Sequence, residues 1–90
     1  MPVEFEWDER KREANLAKHN VDFVDAAEAL SGPSLVRIDA RRDYGEVRFI
    51  AIGRVGGVTL SIVCTFRAEH CRIISARRAN PRERAAYRSL

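Results

Sequence analysis

Ninety residues, 46% hydrophobic and 32% charged, are enough for one globular domain spanning 1–90 and argue against disorder. A chain this short buries roughly 60–65% of the surface its unfolded form exposes, which allows one modest core. No stretch approaches the roughly 20 apolar residues of a membrane span. The acidic opening MPVEFEWDER lacks the basic-then-apolar layout of a signal peptide, so a cytoplasmic protein is expected.

The net charge of +3 hides an asymmetry. Residues 1–34 hold four Lys/Arg against eight Asp/Glu, whereas residues 35–90 hold twelve Arg against five Asp/Glu. Both lysines lie in the first third, so the basic part is arginine alone. Arginine's planar, permanently charged fork suits bidentate contact with phosphate, and a basic surface of this kind meets nucleic acid. The same composition also suits a merely well-solvated surface.

In chain order, Val3–Trp7 alternates apolar and acidic residues, the period of a half-buried strand. Asp8 is a helix N-cap for residues 9–19, whose apolar content is Ala14, Leu16 and Ala17. Asn20 can take the left-handed conformation that ends a helix. Asp22 caps a second helix with Phe23, Ala26, Ala27 and Leu30 in one apolar stripe, ended by Ser31-Gly32-Pro33-Ser34. Four strands are predicted at Leu35–Arg41, Glu46–Arg54, Val58–Phe66 and Cys71–Arg78, with turns at Asp43-Tyr44-Gly45 and Gly56-Gly57. Asn80, Pro81 and Glu83 supply the cap, first position and capping box of a last helix. The fold class is α+β: an N-terminal strand and two helices packed on an antiparallel sheet of four to five strands, then a C-terminal helix. Cys64 and Cys71 come near one another across the last hairpin and are expected as reduced, packed thiols. With only His19 and His70 to help them, no structural zinc site is expected, and no cofactor.

Cleaving RNA without a metal needs a base for the 2′-hydroxyl proton, an acid for the departing oxygen, and cations on the phosphorane. Glu46 and Arg48, two apart, should share a strand face, although such neighbours also form ordinary surface ion pairs. By simple alternation Ser75 and Arg77 share one face of the last strand, with Arg72, Ile74 and Arg78 on the other. Lys18 and His19 close the first helix, where a cation suits the dipole without catalytic duty. Arg67 lies at the last hairpin and Tyr87 on the last helix.

As a set these residues say more. Phe5-Glu6-Trp7-Asp8, Asn15-x-x-Lys18-His19, Val21, Phe23 and Ala27 resemble the opening of the BrnT family of toxins from bacterial type II toxin–antitoxin pairs. The similarity continues through Asp43-Tyr44-Gly45-Glu46-x-Arg48, Gly53 and Arg72-Ile73-Ile74-Ser75-Ala76-Arg77-Arg78-Ala79-Asn80 to Glu83-Arg84 and Tyr87. Where the family has glycine after Lys-His this chain has Asn20, the next best residue for positive φ. The resemblance implies a RelE-like fold and a metal-independent endoribonuclease that inhibits translation and growth. It further implies a cognate BrnA-like antitoxin, with operator DNA met only through that antitoxin. Carried over by position, Lys18, His19, Glu46, Arg48, Arg77 and Tyr87 become catalytic candidates, and Arg67, Arg72 and Arg78 phosphate contacts. Arg48 and Arg77 would hold the scissile phosphate; Lys18, ahead of Glu46 or His19, would assist proton transfer. The competing readings are a non-catalytic nucleic-acid-binding module and a protein-interaction module on the same scaffold.

Overall fold

The structure, a computed structural model, describes residues 3–90. Its elements run β1 (Glu4–Glu6), α1 (Glu9–His19), α2 (Phe23–Leu30), β2 (Ser34–Ile38), β3 (Phe49–Val55), β4 (Val58–Arg67), β5 (His70–Arg78) and α3 (Pro81–Arg88). They build one five-stranded sheet in the order β1-β5-β4-β3-β2. β2 to β5 pair antiparallel as short connections require, while β1 returns to lie parallel to β5, with Glu4 opposite His70. The sheet is therefore mixed.

Local chemistry sets the helix ends. The Asp8 carboxylate accepts from the Arg10 and Lys11 N–H groups, and that of Asp22 accepts from Val24, satisfying donors that a first turn leaves open. Asn20 closes α1 at φ 56°. Asn80 and Glu83 form a reciprocal capping box around Pro81.

α2 buries the predicted stripe, with Phe23, Ala26 and also Ala29 fully covered beside Ile62 and Ile73. The approach to β3 is close: a Cβ on Gly53 would lie 2.9 Å from the Ala29 carbonyl oxygen. α1 behaves otherwise than its apolar residues suggested. Ala14, Leu16 and Ala17 are exposed, and the inward stripe is Arg12, Asn15 and His19. Asn15 is buried, donating through Nδ2 to the Val21 and Ala76 carbonyls and accepting from the Ala76 N–H. Arg12 reaches the Asp22 carboxylate through Nε at 2.8 Å, so a cation ties α1 to the cap of α2.

Two strand boundaries shift. β2 stops at Ile38, because Asp39 turns inward and its carboxylate accepts from the Arg41 N–H. β3 begins only at Phe49, since Asp43 accepts from Gly45 N–H at the turn and Gly45 takes φ 73°. Glu46 and Arg48 thus stand on the segment leading into β3.

Candidate functional site

α2 covers one face of the sheet, while α1 flanks the free edge of β5 beyond the end of β1. The other face carries the basic side chains, and a β-bulge decides which. Along β4 and β5, Ser61 stands opposite Arg77, Val63 opposite Ser75, Cys64 opposite Ile73 and Thr65 opposite Arg72, so Ile74 is an extra residue. Opposed residues in an antiparallel pair share a face, and a bulge resets the alternation beyond it. Arg72, Ser75 and Arg77 therefore line one face. Arg78 lies opposite Leu60 on the helix side, where it borders a cavity with Asn20, Asp25 and Glu28. The expectation that Arg72, Ile74 and Arg78 share a face, away from Ser75 and Arg77, is corrected: the bulge moves Arg72 to Arg77's side.

On this face His19, Arg41, Ser61, Ser75 and Arg77 line a cavity of about 220 Å³. α1 brings His19, the bulged strand brings Ser75 and Arg77, and Arg41 arrives from the loop after β2. Arg77 is gripped by Glu83 of α3 through two hydrogen bonds of 2.8 and 3.0 Å. Burial alone would raise the Glu83 pKa, but bonds from Arg77 and the Asn80 N–H outweigh it and hold the carboxyl below its ordinary value. Arg41 is oriented by Asp39, whose buried carboxylate accepts from its Nε and Nη2 at 2.7 Å each and from the Tyr44 hydroxyl at 3.0 Å. These bonds, Arg41's first, hold Asp39 well below the carboxylate range despite its burial.

Glu46 and Arg48 form the ion pair their spacing suggested, at 3.2 Å. The Arg48 guanidinium also lies 4.2 Å from the centre of the Tyr44 ring, a cation–π geometry. Arg67 Nη2 reaches the other Glu46 oxygen at 3.5 Å, and the Arg48 and Arg67 bonds depress the Glu46 pKa. Arg72 is paired with Glu6 of β1 at 2.6 Å. Ser61 and Thr65, which flank these arginines across β4, are four residues or roughly 13 Å apart along the strand.

The candidates thus divide. His19 and Arg77 come together, joined by Arg41, Ser61 and Ser75. Glu46, Arg48 and Arg67 form a second cluster beside them. Lys18 is exposed and does not line the cavity. The Tyr87 hydroxyl donates to the Pro33 carbonyl at 2.9 Å, a bond that ties α3 to the start of β2. Sequence reasoning left out Arg41 and its Asp39 anchor; the signal was the Asp-x-Arg spacing at a strand end. Among the described residues no group of three His, Cys, Asp or Glu side chains is placed to share a metal ion. Cys64 and Cys71 are buried, free and diagonal to one another on the helix face, and their mutual hydrogen bond and burial push the Cys64 thiol up. No helix among the described residues is long and apolar enough to cross a membrane.

The fold and this face define a small α+β protein whose sheet surface carries arginines around the cavity of about 220 Å³. A family model described as the ribonuclease toxin, BrnT, of type II toxin–antitoxin systems matches residues 7–83. The chain belongs to that family of toxins. The match takes in His19, Arg41, Glu46, Arg48, Ser75 and Arg77 and stops before Tyr87. No curated protein matched the chain.

Proposed function

We propose that this chain is a metal-independent endoribonuclease that cuts RNA by transesterification through the 2′-hydroxyl. It acts in the cytoplasm, inhibits translation and growth, and is neutralised by a BrnA-like antitoxin. The observation that carries the reading is the meeting of His19, Arg41, Ser75 and Arg77 around one cavity, within the family match. Two guanidiniums and a hydroxyl suit a phosphate whose charge grows in the transition state. His19 is the proton-transfer group, since its imidazole lines the cavity beside both guanidiniums and can give or take a proton through either ring nitrogen. Glu46 is disfavoured as base because two arginines hold its carboxylate ionised and weakly basic. Lys18 stands outside the cavity and guides the RNA backbone. The Arg48, Arg67 and Arg72 row continues the phosphate path, with Tyr44 stacked beneath Arg48.

One observation favours a second reading, binding without cleavage: Arg48, Arg72 and Arg77 each carry a carboxylate partner that RNA must displace. Incubating labelled RNA with the purified chain in EDTA, beside Arg77→Ala and His19→Ala, separates the two. Products ending in 2′,3′-cyclic phosphate, formed about 100-fold more slowly by Arg77→Ala, are expected. RNA retained on the folded protein but left intact would establish binding alone.

A further inference from the structure

Among the described residues β2 ends the sheet, so one side of its backbone has no neighbouring strand. Its pairing with β3 is regular from Ser34 opposite Gly53 to Ile38 opposite Phe49, and just beyond it the Asp39 N–H donates to the Arg48 carbonyl. Successive residues of an antiparallel strand turn their N–H and C=O groups to opposite sides. Leu35 and Arg37 therefore bond inward with Asp39, while Ser34, Val36 and Ile38 present theirs outward.

Natural sheets guard such an edge with charged side chains, proline or a bulge. β2 reads Ser-Leu-Val-Arg-Ile, and its one charge, Arg37, stands on the face away from the helices. Val36 and Ile38, 53% and 62% exposed, project unguarded on the helix side of the sheet. A groove of about 140 Å³ continues from Val36 to Leu30 and Phe66, and Phe66 is itself 53% exposed. Unpaired backbone and apolar side chains thus lie on one continuous surface.

The geometry points to this edge as the docking site of an extended segment of the antitoxin, added to the sheet as a sixth strand; the inference rests on the toxin reading above. Charge selects that occupant. Arg37, exposed on the opposite face of β2, belongs to the part of the chain that holds twelve arginines against five acidic residues. A second copy would bring the same arginines back. The fitting segment has apolar residues opposite Val36 and Ile38 and an acidic one opposite Arg37. Docked there, it carries the rest of the antitoxin to the rim of the arginine-lined face.

The test is amide hydrogen exchange on the chain alone and on the complex co-purified with its cognate antitoxin. The Val36 and Ile38 amides should exchange at least tenfold more slowly in the complex. Val36→Pro, which removes only an outward donor, and Ile38→Lys should each raise the dissociation constant of the complex at least tenfold while leaving RNA cleavage unchanged. A tight complex in which both amides exchange as in the free chain would overturn the docking and leave the toxin reading standing. Concentration-dependent protection without antitoxin would assign the edge to a second copy and overturn it too. Absence of any complex, with RNA also uncut, would sink the toxin reading and this inference together.

Discussion

Asn15 makes the two hydrogen bonds with the Ala76 main chain that a neighbouring strand would make, donating to its carbonyl at 2.8 Å and accepting from its N–H at 3.1 Å. β1 pairs with β5 only as far as Arg72, so the side chain continues the ladder where the strand stops. A third bond, to the Val21 carbonyl, fixes the turn between the helices.

Asn15→Ala should therefore cost about 2–3 kcal/mol, the penalty of leaving buried backbone groups unpaired. Urea unfolding measures it. Asn15→Asp should fall short as well, because a carboxylate has no donor for the two carbonyls.

Gly53→Ala should destabilise by about 1–3 kcal/mol, since the added methyl meets the α2 backbone rather than a side chain that can swing away. Thermal unfolding should register the loss. Gly57→Ala, at φ 79° with open space around it, separates strain of conformation from strain of packing.

Glu83→Gln keeps the means to cap α3 but removes the charge that neutralises Arg77. Tighter RNA binding with a steeper fall in affinity as salt rises is the expected outcome, read from filter-binding titrations over a salt series. Unchanged affinity and slope would mean that Arg77 does not meet phosphate.

Acid should weaken the fold through Asp39. Its pKa lies below the unfolded value of 3.8, so its stabilising contribution is complete above about pH 4 and is lost as pH falls toward the folded-state value. Denaturation midpoints across that window should drop for the natural chain and stay flatter for Asp39→Asn, which starts lower at neutral pH. The Asn variant should also loosen Arg41 and slow RNA cleavage.

What the sequence disclosed was mostly local. Asp8, Asp22, Asn80 and Asn20 act within a few residues of themselves, so their roles follow from spacing alone. The inward Asn15 depends on a strand 61 positions away, and its polarity argued for the outside. The bulge at Ile74 is a matter of register between two strands, invisible to alternation counted along one; it alone puts Arg72 and Arg77 on a common face. Arg41 escaped notice because the anchor that aims it is a carboxylate whose burial only the folded sheet creates. The candidate cavity was thus half legible, with His19, Ser75 and Arg77 named and Arg41 and Ser61 supplied by tertiary structure.

The parallel seat of β1 beside β5 joins the two ends of the chain. Glu4 meets His70 and Glu6 meets Arg72, and these long-range pairings make for slow, late closure. A polypeptide interrupted before residue 70 leaves β1 without its strand and Asn15 of α1 without Ala76, and lacks the strand that carries Ser75 and Arg77. A truncated product is thus spared a partly formed cavity, and whatever the arginine-lined face does arrives only with the finished molecule.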